Sequence, residues 1–425
     1  MKKNLAWSLL ALTSLVLSCS PKIVKDIIIP KGPESKYAYA QVEPSIAIHP
    51  TDTNIMAIGT VLDDYYYSKD GGLSWESQTL KSTYGVYGDP VLKIDDSGRV
   101  YYFHLAHYKK STHLDRIVCQ TSPSVDKGFN DGTFPLPNGT KVQDKHWVYL
   151  DKEKDRIIMT WTQFDAYNSD KPSDSSHIMF SYSADKGDSW SQPLRIDKHG
   201  GDCLDDDKTV EGAMPVVLEN GDIIVTWSGP KGLVLQKSED DGKTWLANEK
   251  FLFDQKGGWN TNVSGIQRSN GLPVLTLDKV NNVIYLNWCA EAKNSKKLDV
   301  WLSKSTDNGE TWSKPKKVNK GLRNKDQFFT WSAVDQSTGE FYVAYFDRQK
   351  SKGNETNVIV SYSKNQGRTF KHLKVNPYSF VPDEKVFFGD YLSIDAVSGC
   401  VRVVYPMMVN GKIELHLGFL TPDMF

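Results

Sequence analysis

The chain has 425 residues, and its 51 Lys and Arg balance 52 Asp and Glu to a formal net charge of −1. That balance excludes a nucleic-acid-binding or polyanion-binding surface spread over the molecule as a whole. Aromatic residues make up 12% of the chain, including 12 Trp, a richness suited to an all-β protein that packs rings between sheets or presents them to sugars.

The chain opens with Lys2 and Lys3, followed by a short apolar run over residues 5–17 that ends in Val16-Leu17-Ser18-Cys19. The run has signal-peptide length and is shorter than the roughly 20 residues a membrane-spanning helix needs. Ser18 directly before Cys19 resembles a bacterial lipobox, in which the leader, residues 1–18, is removed and the Cys19 thiol carries the lipid. The expected location is the bacterial cell envelope, with the outer membrane favoured, facing either the periplasm or the exterior. The remaining cysteines, Cys119, Cys203, Cys289 and Cys400, are far apart and show no zinc-type spacing. Mostly buried thiols are expected.

Internal repeats dominate the rest. Ser68-Lys-Asp70-Gly-Gly72-Leu-Ser74-Trp75 returns at 183–190, 238–245 and 305–312; a variant at 363–370 has Asn365 and Phe370, and half a motif survives at 124–131. Successive serines, at 68, 124, 183, 238, 305 and 363, are 56, 59, 55, 67 and 58 residues apart, the size of a four-stranded unit with its loops. The residue types suit a tight turn. An Asp carboxylate accepts from turn amides, Gly takes a positive φ, Ser or Thr bonds locally, and Trp packs beneath. These aspartates are therefore read as structural. Short apolar runs open the units at 43–48, 89–94, 146–150, 214–218, 272–277, 330–334 and 391–394. Seven units imply a single seven-bladed β-propeller of four-stranded antiparallel blades over residues 19–425, with six blades as the alternative. The last unit runs out of chain before a fourth strand, and the β-branched segment 23–29 is expected to return and cover that edge.

In such a ring the loop into strand one and the loop after strand two open on the face opposite the repeated turns, where a ligand site is expected. Carboxylates stand at six of the seven strand-one entrances: Glu43, Asp89, Asp144, Glu211, Asp326 and Asp390. Lys145, His146, Tyr391, His104, Asp347 and Arg348 join them in the expected mouth. A ring of this kind marks either a ligand-binding mouth or a cation site, calcium being the natural candidate; no other cofactor is implied.

The repeated motif is the Asp box, or bacterial neuraminidase repeat, and over nearly the whole mature length the chain resembles the sialidase superfamily. The resemblance implies a propeller and a glycan ligand. Sialidases clamp a sialate carboxylate with three arginines and use a Tyr nucleophile paired with a Glu, plus an Asp acid/base. Their first arginine lies in Phe-Arg-Ile-Pro, where this chain has Val42-Glu43-Pro44-Ser45. A carboxylate there repels the sialate group. Arg348 and Arg268 are the remaining arginine candidates and Lys145 adds charge, but lysine has no bidentate fork.

The resulting expectation is a monomeric, membrane-anchored glycan-processing protein. A glycoside hydrolase on a complex or acidic polysaccharide is favoured, with Asp89 or Asp144 opposite Glu211 or Asp347 as acid and base. The alternatives are a non-catalytic propeller that binds glycan or protein, and a uronate lyase using His104 or His146 as base, Tyr391 as acid and Arg348 on the uronate. Glu43, Lys145, Asp326 and Asp390 complete the expected substrate-binding set. The anchor is directly testable: Cys19→Ala is expected to move the protein from the detergent phase to the soluble fraction, since the lipid is attached through that sulfur. Unchanged membrane partitioning would contradict the lipobox reading.

Overall fold

The structure, a computed structural model, describes residues 24–32, 40–107, 114–292, 294–321 and 324–425. The leader and Cys19 lie outside these residues. Among them no helix is long and apolar enough to cross a membrane.

Seven antiparallel sheets are arranged in sequence order around an axis. Blade 1 comprises Ser45–Ile48, Met56–Gly59, Asp64–Ser68 and Glu76–Thr79; blade 3 comprises Val142–Asp151, Arg156–Phe164, Ser176–Ser183 and Leu194–Arg195. Blades 4, 5 and 6 follow the same pattern, with first strands Glu211–Val217, Val274–Asp278 and Gln327–Asp335. In blade 2 the strands Val91–Ile94, Val100–Ala106 and Arg116–Ser122 form a three-stranded sheet. Its outer edge is met by a bridge from Cys119 to Thr133 and by Asn130, whose amide donates to the Thr121 carbonyl at 3.0 Å. The next outer residues include Pro135 and Pro137, which have no N–H to extend a ladder.

Blade 7 closes the ring as expected. Ser393–Val397, Cys400–Val409 and Lys412–Leu420 are completed by the N-terminal strand Lys25–Ile29, which pairs antiparallel with Lys412–Leu420 from Lys25↔Phe419 to Ile29↔Leu415. Side chains lock this seam. Asp26 accepts from the Tyr405 hydroxyl at 2.6 Å and bonds His416 Nδ1 at 2.7 Å, Ile29 is fully buried, and Gln41 Nε2 donates to the Ile29 carbonyl at 3.1 Å.

The Asp boxes act as expected. In the first, Asp70 Oδ1 accepts from the amides of Leu73 and Ser74, each at 2.9 Å, and Ser68 Oγ accepts from the Gly72 amide at 2.9 Å. The Trp75 indole closes back on the Gly72 carbonyl at 2.9 Å. These bonds hold the Asp70 carboxyl down at about 2, led by those from Ser74. The half-motif in blade 2 has the Ser124-to-Asp126 bond at 2.7 Å, an ion pair from Lys69 to Asp126 at 3.0 Å, and a bond from the Lys127 amide to the Ser124 carbonyl at 3.2 Å. Cys119, Cys203 and Cys289 are buried free thiols, and Cys400 is free and half-buried.

The closing strand carries a stability prediction. Asp26→Ala strips a partner from two buried groups, Tyr405 and His416, and each such loss costs roughly 1–3 kcal/mol. A thermal unfolding scan is expected to show a clearly lower midpoint, whereas an unchanged midpoint would show that the seam does not hold the ring.

Candidate functional site

The mouth is built by one device repeated around the axis. Where strand one begins, the backbone enters the left-handed region at Glu43 (φ 52°), Asp89 (φ 48°), Lys145 (φ 47°), Gly212 (φ 73°) and Phe329 (φ 51°). For side chains other than Gly this conformation costs of order 1–3 kcal/mol, and such residues cluster at functional sites. In blade 3 the register runs from Thr160↔Trp147 to Thr162↔Asp144, so Lys145 and His146 together oppose Trp161. Blades 4 and 6 have the same kind of register shift, between Glu211 and Met214 and between Phe328 and Trp331. Bulges of this kind re-aim the side chains beside them. Below, Trp147, Trp331 and Tyr391 plug the axis, with ring centroids 4.8, 5.5 and 5.8 Å apart.

Charged groups gather above the plug on one side of the ring. Asp390 is buried and takes both cations. Lys145 Nζ lies 2.6 Å from its Oδ2, and Arg268 grips it with Nε at 3.0 Å from Oδ1 and Nη2 at 2.5 Å from Oδ2. Lys145 also lies 3.5 Å from Asp89 and stands 5.8 Å above the Tyr391 ring, while the Tyr391 hydroxyl donates to Asp89 Oδ1 at 3.3 Å. Arg268 reaches within 3.9 Å of Glu43 and packs over Phe387. It arrives on the hairpin of Asn260–Thr261 and Ser269–Asn270, an insertion between blades 4 and 5. Asn270 ties that hairpin to the Asp390 carbonyl at 3.0 Å.

Burial and this pairing divide the carboxyl groups. Desolvation and the neighbouring Asp89 push Asp144 up to about 8, and the Asp144 and Asp89 carboxyls are hydrogen-bonded to each other. Asp89 is desolvated too, but Lys145 outweighs that and leaves it below the usual carboxylate range. Asp390 is buried yet held at about 2, chiefly by Lys145 and then by Arg268. Glu43 and Glu211 are raised well above their ordinary value, mainly by burial. At neutral pH the pair therefore consists of a protonated Asp144 bonded to an ionised Asp89. Asp144 is the half-exposed member and Asp89 the buried one.

Glu211 is fully buried; its Oε2 accepts from Thr162 at 3.2 Å, while Oε1 has no hydrogen-bond partner. Asp205, which the sequence did not single out, adds charge that raises both Asp144 and Glu211. Its two oxygens accept from the Tyr167 hydroxyl at 2.7 Å and the Trp259 indole at 3.1 Å. The pointer available in the sequence is the acidic run Asp202-Cys-Leu-Asp205-Asp-Asp207 just before the Glu211 strand.

Of the other candidates, His146 lies near Asp89 and the rest stand apart from this cluster. Arg348 was expected to point into the mouth. It is instead buried over Phe328, bonded through Nε to Thr356 at 3.0 Å and through Nη1 to the Ser264 carbonyl at 2.7 Å. The second strand of blade 6 ends at Asp347, and the chain then turns toward the inserted loop. Asp347 is bonded by Gln327 at 2.9 Å and raised by burial to about 6. Asp326 pairs with Lys297 at 2.9 Å. His104 and His146 lie buried within the blades and are pushed down to about 4 by desolvation. Among the described residues no group of three or more His, Cys, Asp or Glu side chains is placed to hold a metal ion.

No protein-family model matches the chain, and no characterised protein matches it by sequence. Solved structures do match. The NanB sialidase from Streptococcus pneumoniae superposes with a TM-score of 0.50 at 10% identity, covering 87% of this chain and 84% of that one. A protein of unknown function from Dyadobacter fermentans gives 0.50 at 11% identity, covering 94% and 98%. An ulvan lyase of polysaccharide lyase family PL25, bound to -[GlcA(1-4)Rha3S]-, gives 0.53 at 14% identity, covering 91% and 96%. The chain thus has a sialidase-like propeller fold, here of seven blades, and the likeness extends to both a sialidase and a polysaccharide lyase.

Proposed function

We propose that this chain is a glycan-processing protein of the glycoside hydrolase type, held at the bacterial cell envelope through Cys19, with Asp144 as its general acid. One observation carries the reading. Asp144 and Asp89 are neighbours at the mouth with Lys145 3.5 Å from Asp89, and burial and the Asp89 charge push Asp144 up while Lys145 holds Asp89 down. A half-exposed acid of this kind can protonate a glycosidic oxygen as the C–O bond breaks.

Asp89 then acts through Asp144, by keeping its proton in place, and Lys145 acts through Asp89. The second carboxylate is Asp205, whose oxygens Tyr167 and Trp259 hold in one orientation. From the loop before blade 4 its charge acts on Asp144 and Glu211, and in this reading it activates water or meets the developing positive charge on the sugar. Glu211 is more deeply sealed.

The lyase alternative has less support. A lyase needs a base to remove the proton next to a uronate carboxyl and a cation to neutralise that carboxyl. His104 and His146, at about 4, are weak bases, and Arg348 is buried away from the mouth. The binding-module alternative turns on product formation.

The experiment is the pH dependence of reducing-sugar release from a panel of bacterial and plant polysaccharides. The acid form of Asp144 predominates below its raised value and is lost above it, so kcat is expected to fall as pH rises through about 8. Asp144→Asn should lower kcat by about 100-fold or more without moving the unfolding midpoint downward. Glycan binding with no released sugar would leave a binding module, and 4,5-unsaturated ends would select a lyase.

A further inference from the structure

The end of the propeller that faces the membrane follows from where the closing strand begins. In blade 7 the strand Cys400–Val409 runs from the Asp-box face to the mouth face and Lys412–Leu420 returns. Lys25–Ile29 pairs antiparallel to that returning strand, with Lys25 beside Phe419. Lys25 therefore enters at the Asp-box face, at the place where other blades turn through a box from strand three into strand four. Cys19 stands six residues before Lys25, so a fully extended chain between them reaches about 20 Å. The 10 residues of Cys400–Val409 span about 33 Å from one face to the other. Such a tether holds the Asp-box face toward the lipid and falls short of bringing the mouth round to it.

The surface around the tether differs from the rest of that face. Lys25 is exposed, with its ammonium 5.0 Å over the Phe419 ring. Arg402 lies 4.2 Å from the same ring and donates to the Gly71 carbonyl of the blade 1 box at 2.9 Å. A groove of about 440 Å³, lined by Leu73, Arg402 and Phe419 among others, opens at this corner. Leu73 is 56% exposed. At its position in the repeat the three other full boxes and the blade 6 variant have Asp188, Lys243, Glu310 and Arg368. Among these five, the apolar residue stands in the box next to the tether. The blade 6 box, which flanks blade 7 on the other side, carries exposed Lys364 and Arg368 and, with Asn365 in place of Asp, no acid, whereas each of the full boxes holds at least one. An anionic bilayer surface favours that side of the face.

Resting on the Cys19 anchor of the proposed function, we infer that the Asp-box face beside blade 7 is a membrane-apposed surface, with Leu73 entering the interface of an anionic bilayer and Lys364 and Arg368 meeting its phosphates. The mouth then opens away from the anchoring membrane. Leu73 adds a shallow apolar contact, and the two cations add attraction, to what the lipid already holds in place. The glycan that the mouth takes comes from beyond that membrane, and a headgroup sugar of the same leaflet is out of reach by the thickness of the propeller.

The test uses the lipidated chain, extracted from cell membranes and reconstituted into vesicles of phosphatidylethanolamine and phosphatidylglycerol, in a Cys400→Ser background. A fluorophore is attached at Leu73→Cys, at Lys243→Cys on the Asp-box face across the ring, or at Tyr87→Cys just before Asp89 in the mouth, and is quenched by a nitroxide lipid. Quenching is expected to be strongest at position 73, weaker at 243 and absent at 87. Lys364→Glu combined with Arg368→Glu should lower quenching at position 73 by about twofold or more on these vesicles and leave it unchanged on phosphatidylcholine. A double variant quenched as strongly as its parent would take the two cations out of the contact. Quenching at 87 equal to or above that at 73, or none at either from a chain that carries its lipid and stays with the vesicles, would overturn the inference and leave the anchor standing. A mass spectrum of the extracted chain showing no lipid on Cys19 would remove the anchor and the inference together, with the glycan reading untouched.

Discussion

The arrangement of the mouth depends on the grip of Lys145 and Arg268 on Asp390. Three parts of the chain distant in sequence meet there: the bulged first strand of blade 3, the hairpin inserted before blade 5, and the first-strand entrance of blade 7. A buried carboxylate is unfavourable alone, and its solvation must be replaced by close opposite charge. Asp390 obtains this from two cations at 2.6 and 2.5 Å. The same contact holds Lys145 where it lowers Asp89, and burial, joined by the Asp89 charge, raises Asp144. One ion cluster thus sets both the shape of the mouth and the protonation of its acid.

The surrounding frame can hold that cluster because the rest of the propeller is over-determined. Each full Asp box fixes its turn through several side-chain bonds, and the N-terminal strand covers the edge of blade 7. The left-handed backbone at Glu43, Asp89 and Lys145 is tolerated in such a frame, and it re-aims side chains that a regular strand would keep in the sheet. The aromatic plug of Trp147, Trp331 and Tyr391 closes the axis below, so a ligand is confined to one face. The overlap with a sialidase and with a lyase reflects this frame and leaves the chemistry to the residues placed on it.

Much of the frame was legible because its causes are local. Asp70, Gly72 and Trp75 act within one turn, so their spacing alone identifies the blade. The closing strand was visible as an apolar β-branched segment matched to a last unit short of one strand. The long 67-residue interval between Ser238 and Ser305 also held information, since it contains the insertion that delivers Arg268. The site was less legible because its causes are distant. Six strand entrances carry carboxylates, but only the three-dimensional pairing separates Asp326, neutralised by Lys297, from Asp390. Nothing local sends Arg348 into the wall of blade 6 toward Ser264, and nothing but the fold brings Asp205 to Asp144. Proton affinity is the least local property, because Asp89 and Asp144 are both desolvated carboxyl groups and differ in which charges act on each one most strongly.

The most direct measurement is a carboxyl carbon NMR titration of the aspartates, comparing the unaltered chain with Asp89→Asn. The account requires Asp144 to titrate near 8 in the unaltered protein and to move clearly toward the ordinary aspartate range once the neighbouring charge is removed. An Asp144 resonance that titrates in the ordinary range in the unaltered protein, or that ignores the substitution, would contradict it.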